Sequence, residues 1–149
     1  MPPEDVRIGL LGCGSWGTNW LGAVSRSRGA RVVHVCDPSA AALAAARDRV
    51  PEATLSESVE ALLADRSVDA VVVATPAATH HQLARAALLA GKDVLVEKPM
   101  ATRAADAEEL AALALDRGRV LLVGHLLLFH PAVDHLEQLD EAGVQALAG

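Results

Sequence analysis

Three glycines, Gly12, Gly14 and Gly17, follow directly on the apolar run Val6–Leu11. About twenty residues later a second apolar run, Val32 to Cys36, ends in Asp37. Glycines that leave a strand and open a helix at this spacing bring backbone amides up to a phosphate. Gly12 permits a tight turn, Gly14 lets the backbone approach a pyrophosphate, and Gly17 allows close helix–strand packing. Ser15 and Trp16 lie inside the turn and join the predicted cofactor-binding residues. Asp37 is placed to accept hydrogen bonds from the ribose hydroxyls of an adenosine. Its carboxylate would repel a 2′-phosphate, and Pro38-Ser39 supply no arginine to receive one, so the motif favours NAD(H) over NADP(H).

Three further segments fall at predicted strand ends, the edge where open α/β sheets bind ligands. Thr75-Pro76 makes a sharp exit beside the cofactor. In Glu97-Lys98-Pro99 a lysine stands at a strand terminus, where it can meet the nicotinamide end and hydrogen-bond a substrate hydroxyl or the carboxamide. The plainer fate of a lysine is a solvated surface. In Gly124-His125 the histidine has the near-neutral titration of a proton relay, although a structural histidine is the commoner case. His80 follows Thr75 closely and is read at a helix N-terminus. His34, His81 and His135 are read as incidental, and His80, His81, His130 and His135 give no metal-ligand spacing.

These residues need a scaffold, and the chain alternates β-type runs with helical patterns. Strands are expected at Val6–Leu11, Arg31–Cys36, Ala70–Ala74, Val94–Glu97 and Val120–Val123. Helices are expected at Trp16–Ser27, Ala40–Arg49, Ser58–Leu63, Thr79–Ala90 and Ala104–Arg117. Continuous apolar strands mean burial on both faces, and strand–helix alternation means a parallel, doubly wound sheet. The 149 residues read as one α/β domain, its core about 5–123, followed by an apolar segment and helix over 124–149.

A net charge of −6 argues against nucleic acid or an anionic membrane surface as partner. No apolar run approaches the ~20 residues of a membrane span, and the acidic N-terminus is no signal peptide. The expected location is the cytoplasm, with Cys13 and Cys36 as two buried thiols rather than a disulfide. The chain has no tyrosine, which excludes any mechanism with a tyrosine hydroxyl as proton donor. The apolar run Leu126–Phe129 and the helix after it need cover, so a homodimer or a partner subunit is expected.

Together these segments resemble the N-terminal domain of the glucose–fructose oxidoreductase/inositol dehydrogenase superfamily (Gfo/Idh/MocA). The resemblance rests on Gly12 to Asn19, Asp37, Thr75-Pro76 with His80, Ala90-Gly91-Lys92, Glu97-Lys98-Pro99 and Gly124-His125. Trp16, Asn19 and Leu128 to Val133 are most similar to its sugar-nucleotide 3-dehydrogenases. The resemblance implies a Rossmann-type fold and hydride transfer between NAD(H) and a secondary alcohol or ketone of a small molecule, usually a sugar, inositol or nucleotide sugar. It makes Lys98 the catalytic or substrate-orienting lysine and sets His125 near the active centre. Gly12, Gly14, Gly17, Asp37, Thr75 and Glu97 would line the cofactor. Family members continue into a second domain that forms the substrate pocket, and this sequence is read as lacking it. Two alternatives stay open: a non-catalytic dinucleotide-binding module, and a non-redox enzyme that has diverted the crevice.

Overall fold

Runs such as Val71-Val72-Val73 are β-branched and buried along their length, so they form central strands covered on both sides. The computed structural model describes residues 5–125. It contains β1 (Val6–Leu11), α1 (Ser15–Arg26), β2 (Ala30–Cys36), α2 (Ala40–Arg47), β3 (Thr54–Ser56), α3 (Val59–Ala64), β4 (Ala70–Val73), α4 (His80–Leu89), β5 (Asp93–Val96), α5 (Ala104–Arg117) and β6 (Leu121–Val123). A short 3-10 turn, Ala77–Thr79, leads into α4. The strands pair in parallel in the order β3-β2-β1-β4-β5-β6, the doubly wound arrangement the sequence leads one to expect.

Successive strand residues point to opposite faces, and the core divides accordingly. Leu11, Val71, Val73, Val94 and Val96 pack with Leu62, Leu88 and Leu110 of α3, α4 and α5. Leu10, Val35 and Val72 pack on the other face with Leu21 of α1 and Leu43 of α2. Leu95 leans toward this second cluster and is the register partner of Leu122, so both face the α1 side. No described helix covers β6 there, and Leu122 is 55% exposed, with Val120 at 54%.

Local chemistry sets the element ends. Ser39 and Ser58 cap α2 and α3, their hydroxyl oxygens accepting from the backbone N–H groups of Ala42 and Ala61 at 3.3 and 3.1 Å. Arg7 grips Asp69 with two guanidinium bonds of 2.8 and 2.6 Å, joining the start of β1 to the start of β4. That contact holds the Asp69 carboxyl down at about 2. The pair is too exposed to add much stability. Lys92 is buried, and its ammonium donates to the carbonyls of Asp65 and Val68 at 2.8 and 2.7 Å, tying the turn before β5 to the turn before β4.

Strand β3 is a departure from expectation. Thr54-Leu55-Ser56 has only three residues and no apolar run, yet it pairs with His34, Val35 and Cys36 at the sheet edge. Pairing with β2 defines it, and that partner is not visible in a local pattern. Of the expected apolar segment and helix over 124–149, residues 126–149 lie outside the described residues, and with them His130, His135 and the Leu126–Phe129 run.

Candidate functional site

Winding reverses between β1 and β4. From β1 the chain builds outward to β2 and β3, then returns across to start β4 on the other side. The connections after β1 and β4 therefore diverge and open a crevice at their C-terminal ends. A cleft of about 570 Å³ lies there. One wall is Gly12, Gly14, Ser15 and Trp16; a second is Asp37, Pro38 and Val59; the third is Ala74, Thr75, Pro76, Thr79 and Leu83.

The glycine turn is shaped by close backbone contact. Gly12 has φ +86°, and a Cβ there would stand 2.8 Å from the Ala74 carbonyl oxygen. A Cβ on Gly17 would overlap the Gly12 carbonyl, so α1 sits as near the strand end as a backbone allows. Gly14 is different, because a Cβ there meets nothing within 4 Å. Its missing side chain serves neither the turn nor the packing and leaves room for an approaching group. The first turn of α1 carries no acidic residue and no side-chain cap, so among the described residues no side chain claims its leading amides. These features fit a pyrophosphate.

Asp37 lies at the mouth of the second wall. One carboxylate oxygen accepts from the Cys13 N–H and the other from the Ser39 N–H, each at 2.8 Å. It thereby fixes the glycine turn while retaining lone pairs for a ligand's hydroxyls. Burial, reinforced by the neighbouring Asp37 charge, pushes the Cys13 thiol up to about 12, so this cysteine at the foot of α1 stays a neutral packing group. Burial also raises Cys36, and both cysteines are free thiols.

Not every predicted residue reaches the cleft. Gly12, Gly14, Ser15, Trp16, Asp37, Thr75 and Pro76 line it, while Gly17 acts beneath it through packing. His80 is 1% exposed, and both ring nitrogens face backbone carbonyls rather than the cleft. Glu97 is also buried, and its carboxylate accepts from the Trp20 indole N–H at 2.7 Å on the α1 side. Gly124 packs against that carboxylate, where a Cβ would crowd Oε2 at 3.1 Å. Neither His80 nor Glu97 is among the residues lining the cleft, and Glu97 lines a smaller apolar pocket beside it with Trp16, Asn19, Trp20 and Ala23. Lys98 and His125 follow β5 and β6, adjacent strands, and both are exposed at the same sheet edge as the cleft. Pro38, Val59, Ala74, Thr79 and Leu83 complete the lining and escape a reading by motif. Their signal is positional, since each lies within the connection or first helical turns that follow a strand.

His34 has a more organised setting than expected. Its ring joins Asp65 and Ser56, each at 2.9 Å, a serine–histidine–carboxylate chain in composition. The ring is buried, the Ser56 hydroxyl donates to the Ser58 carbonyl, and Ser56 is not among the residues lining the cleft, so the chain laces β2 to β3 and to the turn after α3. Ser67 and His34 hold the Asp65 carboxyl down at about 2. His81 and Arg85 share Glu109 across α4 and α5. Among the described residues no group of three or more metal-ligating side chains gathers, and no helix is long and apolar enough to cross a membrane.

Comparison with known proteins agrees with this geometry. Residues 6–125 match the model of the oxidoreductase family with an NAD-binding Rossmann fold, GFO_IDH_MocA. An inositol 2-dehydrogenase of Saccharopolyspora erythraea is 37% identical over 141 residues, covering 93% of this chain and 42% of that protein. The dTDP-3,4-didehydro-2,6-dideoxy-alpha-D-glucose 3-reductase of Streptomyces violaceoruber is 37% identical over 139 residues, covering 93% of this chain and 40% of its own length. A variant of the 3-ketoreductase of Actinomadura kijaniata, solved with TDP-benzene and NADP, superposes with a TM-score of 0.85 at 31% identity over 93% of this chain and 44% of that one. A dehydrogenase of Chromobacterium violaceum, solved with NADH and UDP-GlcNAcA, gives 0.77 at 34% identity over 83% and 36%. The chain thus spans about two fifths of the length of these relatives. The cleft, the glycine turn and the matched model agree: this chain belongs to the Gfo/Idh/MocA oxidoreductase family, as its NAD(P)-binding Rossmann domain.

Proposed function

We propose that the chain binds NAD(H) in preference to NADP(H) and supports hydride transfer at a secondary alcohol or ketone of a polyol or nucleotide sugar. One observation carries the cofactor reading: Asp37 stands at the cleft mouth, and no lysine or arginine is among the lining residues. A 2′-phosphate would meet a carboxylate with no cation to offset it, whereas free ribose hydroxyls can donate to it. Val59, Leu83 and Pro38 supply apolar surface for the adenine. When bound, the nicotinamide accepts or supplies the hydride. The chain's part is to hold the substrate oxygen and move its proton, and Lys98 is the residue for that, with His125 beside it as relay. The substrate classes follow the inositol and nucleotide-sugar enzymes that the chain resembles.

Calorimetric titration tests the cofactor, with NADH expected to bind more tightly than NADPH; the reverse order would overturn that assignment. Turnover is read from nicotinamide absorbance against inositols and nucleotide sugars. Lys98→Ala is expected to leave NADH affinity within about threefold while lowering kcat by about 10²–10⁴-fold. If neither inositols nor nucleotide sugars change the absorbance, the chain is better read as a binding module, a reading favoured by Lys98 and His125 lying outside the cleft lining.

The β5–β6 face, which no described helix covers on the α1 side, supports assembly with a second copy or a partner subunit. Exposed Val120 and Leu122 on an edge strand are apolar surface of the kind oligomers bury. Sedimentation velocity at micromolar concentration is expected to give a dimer, and a monomer would count against self-association.

A further inference from the structure

The geometry points to His80 as a positioning residue for Lys98, a ring that donates from both nitrogens and clamps the loop after β4 to the loop after β5. The proposal rests on the reading of Lys98 as the group that meets substrate. His80 Nδ1 lies 2.7 Å from the Pro99 carbonyl oxygen, and Nε2 lies 2.7 Å from the Thr75 carbonyl oxygen. A carbonyl only accepts. A neutral imidazole has a single N–H, so one of these contacts would press a lone pair against a lone pair. Turning the ring over replaces each nitrogen by a carbon and loses both bonds. The ring that satisfies both carbonyls is the doubly protonated one, and bonds from a charged donor at this length are the strong kind. At 1% exposure, no bulk solvent substitutes for either partner.

The two carbonyls are the ones that matter for Lys98. On its N-terminal side, the Glu97 N–H donates to the Val73 carbonyl at 3.0 Å, and the Glu97 carboxylate is held by Trp20. On its C-terminal side, the Pro99 carbonyl is held by His80. The Lys98 backbone is therefore fixed through both neighbours while its side chain is exposed. The same ring holds Thr75, whose hydroxyl also accepts from Thr79 in the cleft wall. One side chain, mounted on the first residue of α4, thus sets the distance between the cofactor wall and the lysine. Displacing a reacting group by about 1 Å is enough to cost on the order of 10²-fold in rate.

Nitrogen-15 NMR of the labelled full chain at neutral pH tests the clamp directly, with His80 assigned by the signals lost in His80→Gln. Two proton-bearing ring nitrogens are expected, and a bare nitrogen on His80 would overturn the proposal. In His80→Gln, NADH affinity is expected to stay within about threefold while kcat falls about 10–100-fold, and amide exchange at Lys98 and Met100 quickens. Unchanged kcat with unchanged exchange would remove the positioning role. A wild-type chain without turnover would sink the catalytic reading alone, because the ring nitrogens and the exchange at Lys98 still decide the clamp.

Discussion

Gly17→Ala is expected to abolish dinucleotide binding and to lower Tm by about 6–12 °C. The added methyl would overlap the Gly12 carbonyl, a backbone atom that cannot swing aside as a side-chain tip can. Relief requires α1 to move away from the end of β1, and overpacking of this kind costs about 3 kcal/mol. For a chain of this size each 1 kcal/mol shifts Tm by about 2–4 °C. The same displacement carries the α1 amides away from the phosphates, so affinity for NADH should fall more than about 100-fold, well beyond what the stability loss explains. Gly14→Ala is the control. Its Cβ meets nothing within 4 Å, so Tm should hold while binding weakens. Calorimetric titration and thermal melts on both variants read the contrast. A Gly17→Ala protein that melts and binds like wild type would refute the packing argument.

Asp37→Ala is expected to reverse the preference between the two dinucleotides. The carboxylate fixes the Cys13 and Ser39 amides, and under the proposed function its remaining lone pairs would serve the ribose. Losing a charge-assisted bond costs about 1.5–3 kcal/mol, so NADH affinity should drop by about 10–150-fold. NADPH shares the loss of the turn's support but is freed from repulsion by a fixed negative charge, so its affinity should fall much less than that of NADH, or rise. Asp37→Asn separates the two roles, since an amide oxygen can still accept from Cys13 while the charge is gone. If Asp37→Ala keeps the wild-type ratio of NADH to NADPH affinity, specificity lies elsewhere in the cleft.

Much of this site is legible in the order of the residues alone. Glycine spacing, the acid after β2 and the prolines after β4 and β5 are local signals, because a tight turn or a strand end forces particular residue types within a few positions. A parallel, doubly wound sheet follows from the same alternation. What escapes such a reading is set by partners distant in sequence. Thr54–Ser56 becomes a strand only because His34 to Cys36 stand beside it. Glu97 looks like a cofactor contact by position, and only the fold reveals that Trp20, 77 residues away, claims its carboxylate. His80 is likewise recognisable as part of a motif, but its two carbonyl partners belong to different loops. Val59 and Leu83 line the cleft through helix placement, and a lone valine or leucine carries no sign of that.

The pairing of Trp20 with Glu97 has an optical consequence. The sequence holds two tryptophans and no tyrosine, so ultraviolet emission from the folded chain arises almost wholly from two indoles on α1. Trp16 stands half-exposed in the cleft wall, where an arriving nicotinamide or adenine would quench it. Trp20 is tethered to the residue preceding Lys98, where a change in that loop alters the indole's hydrogen bond and shifts its emission colour. One dye reports occupancy and the other reports the posture of the lysine loop, so the native protein carries a two-channel fluorescence gauge of its own site.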